Sequence, residues 1–493
     1  MAVSFRNIPG NLRVPLAYFE MDNSMAANAT MLQKALLLGT VPATAQLEPN
    51  VPTFVRSADQ VRGLCGPGSA LARQAHRWFL NNRSVPLYIL AAPQTGFTAS
   101  TGGIVWGGPA TESGVIPLYI GGRLCRVIVA NGDDDAAISA AVVASINDDT
   151  TLGVSAAPDA TDSEQTNITA LQLGLLGSLR IDIALAGSVG GEQLPAGVTA
   201  TIDPMSAGAG SPNVGTLLSA VGAEPFDFVI CPWTAPADLS DLDEFFNDTT
   251  GRWSWAEMLY GHSFTARQGT VAQLSALGNS RNGQHVSIFG FSNSPTPHDE
   301  WLTAYVGQAA GSLTIDPARP VQSLPLLGVH APPIEDRFTP QELQVLYFDG
   351  ISGYQAWDDG TITINRLITT YRRNQWGVPD PSYLDVETMF TAMYFNRFMR
   401  NRVLTKFPRH KLADDGTRFG AGQAIVTPAI IRAEMLASYG ELEELGLMEN
   451  AQGFEDALIV ERNSQDPNRV DVLLPPDFVN QLRVFAALTQ FRL

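Results

Sequence analysis

Residues 57–90 read SADQVRGLCGPGSALARQAHRWFLNNRSVPLYIL. Ser57 is a helix N-cap type, and ADQVRGLC after it reads as a short helix. Pro67, Gly68 and Ser69 open a second helix, ALARQAHRWFL. The run 85–90, VPLYIL, is apolar throughout and has the length of a buried strand. Upstream, 31–41 contains ALLLG and reads the same way. Strand, helices and closing strand make a βαβ unit, which implies a parallel sheet.

The pattern resumes further along. Strands are expected at 226–231, 263–266 and 285–289, with helices at 239–246, 271–277 and 299–310. Alternation of this kind predicts a mostly parallel, doubly wound sheet with helices on both faces. Between about 92 and 211 the composition shifts to Gly, Ala, Thr, Ser and Asp. Short alternating strands at 117–120, 124–129 and 179–183 and a helix at 134–146 mark a β-rich module inserted on a surface loop. The proline-rich stretch 313–333 reads as a linker. A C-terminal α+β region follows, with Thr339 capping a helix at 340–347, a strand at 361–365, long helices at 386–407 and 427–447, and strands at 457–461 and 469–474. The domains are therefore expected at 1–25 (arm), 26–91 with 212–333 (α/β), 92–211 (insertion), 334–456 (α+β) and 457–493 (hairpin and arm).

The chain has 493 residues and a net charge of −18, which argues against general nucleic-acid binding. Lysine occurs only at Lys34, Lys406 and Lys411. Lysine depletion suits surface destined for contact, and genome composition explains it equally well. Three distant cysteines support neither a disulfide framework nor a zinc site, and a reducing compartment fits. No signal-peptide pattern is read near the N-terminus, and no apolar run approaches the ~18 residues of a membrane span. A soluble product made in the cytoplasm is expected.

Catalytic signatures fail. The glycines at 63, 66 and 68 lack the spacing of a dinucleotide loop, and no Gly-Lys-Ser/Thr exists. Six scattered histidines form no metal-ligand pattern. The nucleophile turn G-x-S-x-G is absent. Asp133, Asp134 and Asp135 lack EF-hand spacing and suit a helix N-terminus. No cofactor is expected.

The two ends of the chain are unusual. In residues 4–24, SFRNIPGNLRVPLAYFEMDNS, Val14, Leu16 and Tyr18 alternate with Arg13, Pro15 and Ala17. Strand periodicity with proline suits a sheet edge, either of the chain's own sheet or of a neighbour's. At 482–491, Leu482, Val484, Ala486 and Leu488 face one way while Phe485, Ala487 and Phe491 face the other. A strand apolar on both faces needs burial on both faces. The helix at 386–407 carries an apolar stripe (Val386, Met389, Phe390, Met393, Tyr394) and basic residues Arg397, Arg400, Arg402, Lys406, Arg409 and, just beyond, Lys411. From Asp385 to Lys411 the net charge is +4, leaving about −22 for the rest. This face is either simply solvated or an electrostatic dock for an acidic partner.

These stretches carry a family resemblance. The arm at 4–24, the segment 51–80 and above all the block 338–418, with FTPQELQVLYFDGIS and DGTITINRLITTYRRNQWGVPDPSYLDVETMF, resemble the tail sheath proteins of contractile-tailed, Mu-like bacteriophages. The module at 92–211 carries little of the likeness. The resemblance implies an α/β sheath domain similar in fold to subtilisin but not a protease, with an inserted β-rich domain, a C-terminal α+β domain and extended strand arms. It implies a structural subunit that polymerises around a tail tube by strand exchange. Val14, Leu16, Tyr18, Leu482, Val484, Ala486 and Leu488 would lie on the donated arms. Ile459, Val460, Val470 and Val472 would form the receiving hairpin. The basic helix would lie near the tube. Partners would be further copies of the chain, the tube protein, and baseplate and terminator proteins, with no nucleic acid or membrane. The particle would be a virion assembled in the host cytoplasm, contracting to drive the tube through the envelope. A phage-derived bacteriocin or secretion-like injection machine is the alternative.

Overall fold

A computed structural model describes residues 32–492. Its centre is an eight-stranded sheet. The strand Ala35–Val41 is buried at all seven positions, which is why its apolar run is continuous. It pairs in parallel with Leu87–Pro93 on one side and Phe228–Ile230 on the other. His262–Gln268, Val286–Phe291 and Ile351–Ala356 extend the parallel order outward. Antiparallel strands close both edges, Thr53–Val55 at one and Ile362–Arg366 at the other.

Helices cover both faces. On one, Ala70–Asn81 and His298–Ile315 pack through Leu71, Trp78, Trp301 and Tyr305. On the other lie Val214–Ser219, Pro236–Phe245, Val271–Asn279 and Pro340–Phe348. Ser57 and Ser69 cap their helices as the sequence predicts, accepting from the amides of Gln60 and Ala72. Gly68 adopts φ +73°, and a Cβ there would stand 2.6 Å from Gly153 Cα. The glycine serves close backbone approach, not a phosphate cradle.

Two expectations about the large sheet and its surroundings differ from the structure. Ile351–Ala356 and Ile362–Arg366 belong to the large sheet, so the boundary read at 334 cuts through it. The stretch 313–333 is no free linker. Ser323 and Leu326 donate to Ile364 and Ile362 carbonyls at 2.7 and 2.8 Å, so the chain covers the edge strand. An uncovered edge would leave a row of unpaired backbone groups.

Residues 99–203 build two small antiparallel sheets with a core of their own around Trp106, Ile116, Val127, Ile138 and Ile168. The strands Ala99–Gly107, Gln165–Leu173 and Thr199–Asp203 escape sequence reading because glycine and threonine blur their alternation. A Cβ at Gly102 would stand 2.8 Å from Met205 Cα, so the small residue is required there. Buried charge ties this unit to the large sheet's helices. Glu300, fully buried on His298–Ile315, faces Arg77 at 2.6 Å, Arg73 at 3.3 Å and Arg123 from the small unit at 3.7 Å.

The helix Val386–Lys406 joins two cores. Its first half buries Val386, Phe390 and Met393 against the large sheet. Its second half buries Phe395 and Met399 among Met435, Tyr439, Leu442 and Phe454 of the C-terminal helices. The hairpin Ile459–Arg462 with Val470–Leu473 packs on this second core.

Candidate functional site

The basic face of Val386–Lys406 is largely spent inside the chain. Arg397 pairs with Asp227, and its second amino group donates to the Tyr260 carbonyl at 2.8 Å. Arg402 pairs with Glu441 and lies over the Phe398 ring, 4.9 Å from its centroid. Lys406 pairs with Glu434 at 2.6 Å. Arg400, Arg409 and Lys411 are exposed and make no ion pair among the described residues, although Lys411 donates to Gln423 at 3.2 Å. Of six basic side chains on one stretch, three are therefore available to a partner.

The expected strand at 482–491 is not a strand within the subunit. Leu482, Val484, Phe485, Leu488 and Phe491 are 74–86% exposed. No ladder partner stands beside them among the described residues, and a strand needs one. Just before them the chain is fixed. Val479 donates to the Leu447 carbonyl at 3.2 Å, and Glu449 donates to that of Asp477 at 2.9 Å. The hairpin has only two strands, so both outer edges keep unpaired backbone groups among the described residues. Val460 and Val470 lean on the helical core, whereas Ile459 and Val472 are exposed at 51% and 39%. Val14, Leu16 and Tyr18 lie outside the described residues.

Sequence reading missed Arg483, Asp227, Asp385 and Glu387 as structural charges. Arg483 is a base set between Leu482 and Val484 in an apolar stretch, and that contrast was the available signal. The acids entered only as contributions to net charge, because their partners, Arg397, Arg366 and Arg483, lie 19 to 170 residues away.

A cleft of about 680 Å³ opens beside Gln268, Thr270, Asn293, Asp336, Arg337 and Glu342. Its Thr339 hydroxyl donates to Glu342 at 2.8 Å, a contact that belongs to the capping box of Pro340–Phe348. No cluster of metal-binding side chains occurs among the described residues, and no described helix is long and apolar enough to cross a membrane.

The models for the phage tail sheath protein central domain and C-terminal domain match residues 207–370 and 378–492. The tail sheath protein of the Mu-like prophage FluMu of Haemophilus influenzae is 37% identical over 495 residues, covering 100% of both chains. The chain belongs to the Mu-like phage tail sheath proteins. This sheath protein is a structural subunit of a contractile phage tail sheath and a virion component, and its family is not enzymatic. Among solved structures, a sheath tail protein of Desulfitobacterium hafniense aligns at 11% identity over 95% of this chain and 100% of that one, with a TM-score of 0.47. The helical sheath of the anti-feeding prophage in its contracted state aligns at 12% identity over 98% and 99%, with a TM-score of 0.45.

Proposed function

We propose that the sheath protein polymerises around a tail tube by donating its termini to neighbours, and that contraction of this polymer drives the tube through a host envelope. In this reading the doubly wound sheet is a subtilisin-like body, 92–211 is an inserted surface domain, and 457–493 is the exchange apparatus. Residues 14–18 and 484–491 add strands to the open edges of a neighbour's hairpin, which is β-augmentation. Arg400, Arg409 and Lys411 meet an acidic tube. Baseplate and terminator proteins bound the polymer, which assembles in the host cytoplasm.

Two observations together carry this reading: an exposed apolar arm, and a hairpin that has two strands and open edges among the described residues. Full burial of a large apolar side chain stabilises by about 1.5–3 kcal/mol, so Val484, Phe485, Leu488 and Phe491 together offer on the order of 10 kcal/mol. Ordering eight backbone residues costs about 1–2 kcal/mol each, which is of similar size. The ladder hydrogen bonds and the register on the acceptor hairpin then decide whether exchange is favourable, which suits a polymer that must rearrange.

Ending the chain after Arg483 tests it. The truncated protein is expected to melt like the full chain and to form no hollow cylinders by electron microscopy. Cylinders of ordinary length from the truncated chain would refute strand donation by the C-terminal arm.

A further inference from the structure

In the C-terminal arm, Arg483 is a well-buried side chain between two highly exposed neighbours. Its side chain is 11% exposed, against 74% for Leu482 and 80% for Val484 as residues. The guanidinium lies 2.8 Å from Glu387 Oε2 and 3.2 Å from Asp385 Oδ1, with Gln322 Oε1 at 3.4 Å. Glu387 is fully buried in the first turn of Val386–Lys406, and its other oxygen accepts from the Val321 amide at 2.8 Å. Asp385 precedes that helix and is forked by Arg366 of the sheet's edge strand, with both contacts at 2.9 Å. Arg366 thus occupies both oxygens of Asp385, and Arg483 is the cation that faces Glu387 directly. Two carboxylates and two guanidiniums balance.

The path to this point is also fixed. Phe478 packs edge-on to Phe395, with ring centroids 6.4 Å apart. From Phe395 back to Glu387 and Asp385 the helix rises about 12–15 Å at ~1.5 Å per residue. From 478 to 483 an extended chain covers about 16 Å at ~3.3 Å per residue. The two lengths agree, so 478–483 runs antiparallel along the helix and stops at its first turn. Beyond Arg483 nothing in the described chain holds the arm.

We infer that Arg483 anchors the root of the C-terminal arm, making Asp385 and Glu387 its socket and residues 484–491 the part handed to a second copy of this chain. This rests on the strand-donation reading above. The anchor transmits load: a neighbour that holds 484–491 pulls on the helix Val386–Lys406, the element that joins the two cores. Arg483 is a positioning residue, setting the direction and free length of the arm without itself entering the neighbour's sheet.

The test uses the full chain bearing Val484→Cys and a nitroxide label, because the native Cys65, Cys125 and Cys231 are all buried. Arg483→Gln alone leaves Glu387 without its cation and can unfold the first turn. The double variant Arg483→Gln/Glu387→Gln keeps an acceptor for the Val321 amide and leaves no unpaired buried charge, since Arg366 still forks Asp385. In the unassembled double variant with a wild-type melting curve, the label is expected to tumble several-fold faster. Cylinder formation by the unlabelled double variant should fall at least tenfold. Unchanged label mobility with unchanged assembly would overturn the anchor. If the chain ended after Arg483 still polymerises, the donation reading itself fails. If that truncation blocks polymers while the double variant behaves as wild type, only the anchor fails.

Discussion

Arg397 and Asp227 form an ion pair across 170 residues of chain, and the same carboxylate accepts from the Lys34 amide at 2.9 Å. The Asp227 side chain is 4% exposed. One carboxylate therefore holds the middle of Val386–Lys406 and the place where the chain enters its first strand. Removing one partner of a buried pair typically costs about 3–5 kcal/mol. Arg397→Ala is expected to lower urea stability by that order. Arg400→Glu, an exposed change, should alter stability by less than about 0.5 kcal/mol yet weaken co-assembly with tube. A wild-type denaturation midpoint for Arg397→Ala would show that the pair does not hold the fold.

Glu300 is the next place where one carboxylate serves several elements. Burial pushes its pKa up, but Arg77, Arg123 and Arg73 outweigh that and hold it below the usual carboxylate range. A depressed folded pKa stabilises above the unfolded value of about 4.3 and is lost as pH falls through the folded one. Glu300→Gln should therefore cost about 3–5 kcal/mol at pH 7, and the gap to wild type should narrow below about pH 4. Denaturant titrations at pH 7 and at acid pH measure both. A pH-independent gap would mean that packing, not charge, holds the small sheets to the body.

Asp243 has the opposite sign. Burial raises its carboxyl to about 6, only partly offset by Arg281, and its Oδ1 finds no hydrogen-bond partner among the described residues. A raised folded pKa contributes stability fully present below the unfolded value of about 3.9 and lost as pH rises through 6. At pH 7.5 the group is a buried, poorly compensated charge. Asp243→Asn is expected to stabilise the chain by about 1–3 kcal/mol at pH 7.5, with the gain gone by about pH 4. Thermal midpoints across that range decide it, and a destabilised variant at pH 7.5 would reverse the assignment.

The amino-acid sequence by itself determined the βαβ alternation, the capped helices at Ser57, Ser69, Asp134 and Thr339, the apolar stripe at Val386, Phe390 and Met393, and the family. Each is a local signal: periodicity and caps act within a few residues, and long motifs are read directly from the chain. Only the tertiary structure decided which charges are free. Arg397, Arg402 and Lys406 look like Arg400 and Arg409 along the helix, but Asp227, Glu441 and Glu434 reach the first three from distant segments. Pairing across tens to hundreds of residues leaves no periodic trace. The arm at 482–491 shows the converse. Its alternation is a strand's, but strand formation needs a partner's backbone, and the described chain supplies only the anchor at Arg483.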